Sequence, residues 1–165
     1  MFRLVSYLKF LLKSTNEHGI HSPFVFNLVT KCLYAKPRKA KRKSLDVLLK
    51  SLAYFKVRSL EILGNSEIKA EMKKRYPEPS FSKDLKDLIY FDSVPNESFT
   101  ELLDYIQIHN DTVILFNRIH SSSSEFEKWS RFVEDEKITV SIDLFHCGMV
   151  FIRREQAKQH FYIRI

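Results

Sequence analysis

Glycine is almost absent from this chain: Gly19, Gly64 and Gly148 are the only three in 165 residues. Loops that wrap a nucleotide need several glycines at fixed spacing, because the backbone must turn tightly and approach the ligand closely. Cysteine is as scarce. Cys32 and Cys147 stand far apart, with no CxxC and no Cys/His spacing of the zinc type, so neither a disulfide framework nor a structural metal is indicated. No apolar run approaches the ~20 residues that span a bilayer, and no signal segment is recognisable. A cytoplasmic protein is the expectation. Acidic residues are outnumbered, 20 against 27 basic, and the net charge is +7. That excess suits a solvated basic surface, or an anionic partner such as nucleic acid or a membrane.

What is present suffices for one domain with a real core. A hydrophobic share of 44%, with 14 Phe and 7 Tyr, excludes a disordered chain and suits a core that contains a sheet. Lys86–Asp92 reads KDLIYFD, and Asp111–Asn117 reads DTVILFN. Short unbroken apolar runs of this kind predict strands buried on both faces of a mostly parallel sheet. An acid just past the carboxyl end, Asp92, lies where open α/β sheets place their ligands. The helix-length gap between the two runs makes them a βαβ unit.

Before this unit, Phe2–Lys13 carries Leu4, Leu8, Leu11 and Leu12 at helical spacing with basic residues between them, an amphipathic helix. His18–Phe24, HGIHSPF, holds a turn glycine, then Ser22 and Pro23 as cap and first residue of a second helix. The basic run KPRKAKRK, residues 36–43, reads as a linker or exposed face. It lacks the interleaved aromatics of a stacking surface, so nucleic acid is not an expected partner. It divides the chain into an amino-terminal helical segment, 1–43, and an α/β unit, 44–165. Ser44 is expected to open a helix, Val57–Leu63 to form a strand and Ser66 to cap the next helix. A short strand around Phe81 is a weaker expectation. Ser98-x-x-Glu101 is a capping box, and Ser124 with Glu127 offers a second. Ile138–Leu144 and Met149–Arg153 form an antiparallel hairpin, and Gln159–Ile165 a short extended tail. The expected fold is therefore a Rossmann-like α/β three-layer sandwich. Its sheet is mostly parallel with a carboxyl-terminal antiparallel hairpin, and helices precede it.

Several of these stretches resemble the class I S-adenosylmethionine-dependent methyltransferases. HGIHSPFVFNLVTK looks like the amino-terminal signature of a bacterial group in that class. SLEILGN resembles the group's first strand and motif, DLIYFDSV its fourth strand, and DTVILFNRIH its fifth. ITVSIDLFHCGMVFIRREQAKQHFYIRI resembles its carboxyl terminus almost throughout. The resemblance implies S-adenosylmethionine as cofactor, flanked by Glu61, Gly64 and Asp92. It leaves the catalytic residues open; His18, His21 and His120 are candidates to accept a substrate proton.

The departures from the family bear on function. Asn65, Ser66 and Glu67 stand where the cofactor loop has further glycines, and Leu63 falls at the first glycine position. A side chain there would crowd the cofactor. The stretch between Gly64 and Leu88 has room for one helix and a return, not for the two βα units of the family, so the sheet is shortened and the ribose-binding acid lost. Asn117 and Arg118 replace an acidic pair, so no metal is expected, since hard cations need anionic oxygen ligands.

Two function classes follow: a methyltransferase-like protein with a degenerate cofactor site, active or inactive on an acceptor the sequence does not identify, or a non-catalytic partner-binding protein on that fold. A basic nucleic-acid- or membrane-associated module is a third reading. The bland alternatives are that Asp92 caps a helix, that Glu61 pairs with a lysine, and that the histidines near the turn bond to backbone. A shortened sheet leaves an edge strand in need of cover, and a homodimer across it is one expectation.

Overall fold

The structure, a computed structural model, describes residues 1–76 and 85–165. The chain opens with helix α1 (Phe2–Lys13), a 3₁₀ turn at Glu17–Gly19 and helix α2 (Pro23–Leu28), which runs on through a π turn at Val29–Leu33. Helix α3 (Lys43–Tyr54) leads to strand β1 (Leu60–Leu63), helix α4 (Ser66–Arg75) and strand β2 (Lys86–Phe91). Helix α5 (Phe99–Leu102), strand β3 (Ile108–Asn117) and helix α6 (Ser123–Glu134) follow. The chain ends with β4 (Val140–Asp143), β5 (Cys147–Phe151) and β6 (Gln159–Tyr162).

The six strands form one sheet in the order β1-β2-β3-β5-β4-β6. β1, β2 and β3 are parallel neighbours, β5 runs antiparallel between β3 and β4, and β6 lies parallel to β4. This is the expected Rossmann-like three-layer sandwich. Alternation along the strands divides the core. Leu88, Tyr90, Val113 and Leu115 face a layer built from α2, α3 and α4, through Val25, Leu28, Val47, Leu48 and Met72. Ile89, Phe91, Ile114 and Phe116 face α5 and α6 through Phe99, Leu102, Trp129 and Phe132. Both faces are covered, so the central strands carry unbroken apolar runs. Ile20, Val25, Leu28, Cys32 and Leu33 share one core with the sheet, so residues 1–43 and 44–165 pack as one body.

The two ends of the chain meet. The main-chain N–H of Thr15 donates to the Tyr162 carbonyl at 2.8 Å, and the Ser22 hydroxyl donates to Gln156 at 3.3 Å. HGIHSPF thus docks on the carboxyl-terminal segment. Gln159–Tyr162, expected as a tail, is a sixth strand. Its polar residues mask the strand, because an edge position needs no apolar run.

Several helix starts differ from expectation. Asn65, not Ser66, caps α4, because its carbonyl oxygen reaches the Ile68 N–H at 2.9 Å. Ser122 caps α6 through the Glu125 N–H at 3.1 Å, where Ser124 with Glu127 was expected; a serine run offers several equivalent caps, and the Ser121 N–H to Arg118 carbonyl turn selects the earlier one. Ser44 lies buried inside α3, which starts at Lys43 without a side-chain cap. Behind it, Asp46 and Lys50 form a buried ion pair of 2.8 Å. Asp46 also accepts the Lys39 N–H at 2.5 Å, and Lys50 donates to the Leu33 carbonyl at 3.1 Å. A buried pair is tolerated when its remaining valences are satisfied; this one ties the basic run to the end of α2. The expected strand around Phe81 lies outside the described residues.

Helix α1 turns the smaller part of its apolar surface inward. Ser6 and Phe10 are buried, whereas Leu4, Leu8 and Leu12 are 66%, 54% and 89% exposed.

Gly148 sits where β5 passes under α6, and a Cβ there would meet the Trp129 ring at 2.5 to 2.9 Å. Gly148→Ala therefore overpacks the core and is expected to cost about 1–3 kcal/mol, read as a lower urea midpoint. An unchanged midpoint would mean that the Trp129 ring gives way freely.

Candidate functional site

The parallel register brings the carboxyl ends of three strands into one line. Leu63 pairs with Phe91, and Phe91 with Phe116, so Gly64, Asp92 and Asn117 emerge side by side. The chain turns at Gly64 with φ of +81°, which glycine alone adopts readily, and the Asp92 Cβ lies 3.4 Å from where a Gly64 Cβ would stand. That spacing is ordinary contact, so the left-handed φ rather than lack of room is what favours glycine there.

Asp92 is fully engaged. One carboxylate oxygen accepts from Asn117 Nδ2 at 3.0 Å and the other from Arg118 Nη2 at 3.1 Å. Arg118 Nε also donates to the Asp92 carbonyl at 3.1 Å. Arg118 makes this clamp from a left-handed conformation, φ +58°, uncommon outside glycine. Its main-chain N–H donates to the His146 carbonyl at 2.9 Å, which anchors the turn. Asp92 does not cap α5; the Ser98–Glu101 capping box does that.

Around Asp92 opens a cavity of about 460 Å³. Asn65, Asn117, Arg118 and Ser121 line the strand side, Arg42, Lys43 and Ser44 come from the start of α3, Arg3 from α1, and Phe145 and His146 from the β4–β5 turn. Among the described residues lining it, four cationic side chains (Arg3, Arg42, Lys43, Arg118) stand with one carboxylate, Asp92. The charge around His146 reflects this. Burial first, then the charges of Lys43 and Arg3, hold its imidazole down at about 4, so it is neutral at pH 7. Burial likewise pushes the Tyr90 phenol up, with the Asp92 charge adding to it.

Behind the cavity lies a buried line of polar groups. His120 Nδ1 meets the Ser6 hydroxyl, and Nε2 meets Asp143 at 2.7 Å. Asp143 takes the Phe145 N–H on its other oxygen at 2.7 Å. The His120 ring is held between Phe126 and Phe145, with centroids 4.6 and 4.7 Å away. A serine, histidine and acid in series are the parts of a nucleophilic centre. Here all three are buried, and the line fastens α1 to the ends of β3 and β4.

The sequence-derived site residues therefore separate. Gly64 and Asp92 meet at the mouth of the sheet, and His120 reaches the cavity wall from behind. Glu61 does not line the cavity. It is held by Lys69 at 2.7 Å and lies 3.7 Å from Lys86, the lysine pairing that sequence offered as its alternative. His18 and His21 are exposed on the amino-terminal turn and do not line the cavity. Sequence reasoning missed Arg3, Arg42, Lys43, His146, Ser6 and Asp143. The signal for two of them was in view: the basic run ends at Arg42 and Lys43, which stop being linker where α3 begins. Among the described residues no group of three or more His, Cys, Asp or Glu side chains could hold a metal ion, and no helix is long and apolar enough to cross a membrane.

The residues present do not suit S-adenosylmethionine. Its sulfonium and ammonium cations outweigh its one carboxylate, and the one carboxylate among the described residues lining the cavity already carries an arginine. Among known proteins, no family model, no curated sequence and no solved structure matches this chain. The Rossmann-like fold, common to many nucleotide- and cofactor-binding enzymes, is what the architecture establishes.

The depressed imidazole gives a pH dependence. Between its ordinary value of 6.5 and about 4, His146 binds a proton in the unfolded chain and not in the folded one. Stability is then expected to fall as pH drops through that window, and to be present in full above it. Urea midpoints across pH 4 to 7 should slope less in His146→Gln than in the wild type; equal slopes would mean that His146 does not titrate differently on folding.

Proposed function

We propose that this chain is a degenerate member of the class I S-adenosylmethionine-dependent methyltransferases, in which the cavity at the carboxyl ends of the strands binds a ligand without transferring a methyl group. One observation carries the reading: the Arg118 guanidinium lies on the Asp92 carboxylate, and the other charged side chains described around it, Arg3, Arg42 and Lys43, are cations. A methyl donor that is itself a sulfonium cation would be repelled by such a wall. The short connection from β1 to β2 adds to this, with α4 the one helix described between them. The strand order agrees with a sheet that has lost its outer strands on the β1 side.

Calorimetric titration of S-adenosylmethionine and S-adenosylhomocysteine into the protein tests the reading. No saturable heat at millimolar ligand is expected. Micromolar binding that disappears in Asp92→Ala would sink the proposal and restore an active methyltransferase.

A second reading rests on α1. Its exposed leucines, Leu4, Leu8 and Leu12, share the helix with exposed Arg3, Lys9 and Lys13, the pattern of a helix that lies on an anionic membrane surface. Co-sedimentation with phosphatidylglycerol vesicles is expected, with little on phosphatidylcholine vesicles and loss in Leu8→Glu. Absence from both vesicle types would dispose of it.

A further inference from the structure

The charge of the cavity points past the absence of a methyl donor to what the cavity takes instead. We infer that it is a binding site for a phosphorylated small molecule with an organic body, of nucleotide size. The inference rests on the reading of the cavity as a ligand site that does not take S-adenosylmethionine.

Three observations converge. First, the cations are not all spent on the fold. Arg118 is committed to Asp92, and Lys43 Nζ donates to the Ile165 main-chain oxygen at 2.6 Å. Arg3 and Arg42 are exposed at the mouth and have no ion-pair partner among the described residues. Two guanidiniums from separate elements line the one cavity, and a guanidinium binds phosphate oxygens in a planar two-point manner.

Second, α3 begins at this wall. Arg42 is its N-cap residue and makes no side-chain cap bond, so the first-turn N–H groups have no side-chain acceptor there. Helix N-termini of this kind receive anions, through their free donors and the dipole together. Ser44, Asn65 and Ser121 add neutral hydrogen-bonding groups around the same space.

Third, the cavity is larger than an inorganic anion needs. About 460 Å³ lies in the range of sites for small organic ligands. Phe145 and His146 supply a ring-bearing side to it. The His146 imidazole, neutral in the free protein through burial first and the cations around it second, would gain a proton more readily once their charge is compensated.

The other candidates lead less far. The Ser6–His120–Asp143 line is buried and serves α1. The smaller apolar cavity beside it is lined by the inner side of α1, with Phe2, Phe10 and Phe126, and contains nothing that selects an occupant.

The test uses the full chain and two probes, ADP and inorganic pyrophosphate, titrated calorimetrically at about physiological ionic strength, where surface attraction is screened over ~8 Å. Both are expected to bind saturably at one site, with ADP the tighter. The double variant Arg3→Ala, Arg42→Ala should weaken ADP by about tenfold or more, which corresponds to ~1.4 kcal/mol, with an unchanged thermal midpoint because neither side chain supports the core. The control Lys36→Ala, Arg38→Ala, Lys41→Ala removes more charge from the basic run outside the cavity and should leave binding intact. No binding of either probe at millimolar concentration overturns the inference, and so does an equal loss in the cavity and control variants, which would mean adsorption to net charge. Pyrophosphate binding as tightly as ADP overturns the part that assigns an organic body. An S-adenosylhomocysteine titration alongside separates the two failures. Binding of that ligand overturns the degenerate-site reading on its own, whereas silence from all ligands overturns the phosphate assignment alone.

Discussion

Strand β3 is buried on both faces and paired along both edges, and the other layers take their places from it. Val113 and Leu115 fix one face, Ile114 and Phe116 the other, while β2 and β5 hold its two edges. Register follows from this constraint. A shift of one residue would turn each apolar side chain to the wrong layer, so the ends of β1, β2 and β3 are locked level with one another. The site is a consequence: Gly64, Asp92 and Asn117 meet because the strands below them have one way to pack.

That explains which parts were legible in the sequence. KDLIYFD and DTVILFN are apolar without alternation, and burial on two faces is what such runs mean. The hairpin of β4 and β5 was legible from β-branched alternation. The helix caps were less so: Ser122, Ser123 and Ser124 differ only in where the preceding turn leaves the chain, and a tertiary turn at Arg118 decides among them. β6 was illegible for a related reason. Gln159 and His160 are exposed at the sheet edge, so only Phe161 and Tyr162 of the strand carry an apolar signal, too short to separate a strand from a tail. The segment just past it bridges to Thr15 from the other end of the sequence.

The candidate site was half legible. Gly64 and Asp92 could be found because strand ends are predictable and a positive φ favours glycine. Arg3 and Arg42 could not, because their position depends on how α1 and α3 pack over the sheet, and that is set by long-range contacts such as Ser6 to His120. Glu61 shows the converse. It sits on β1, below the turn at Gly64, yet it does not line the cavity and pairs with Lys69 instead. A residue type at the right distance from a glycine is not a site until the direction of its side chain is known.

The scarcity of glycine and the excess of base both bear on the mouth of the sheet. A loop that wraps a cofactor brings bare backbone against it and needs glycine for that approach. Here the chain makes a single turn at Gly64, beside the Asp92 carboxylate at the sheet mouth. A carboxylate left partly buried without a partner is costly, and an arginine at the next strand end relieves that cost. Arg118 does so, from a left-handed conformation. With the lone acid neutralised, the remaining potential is set by Arg3, Arg42 and Lys43. The positive charge of this wall thus depends on the pairing of Asp92 with Arg118 at the strand ends.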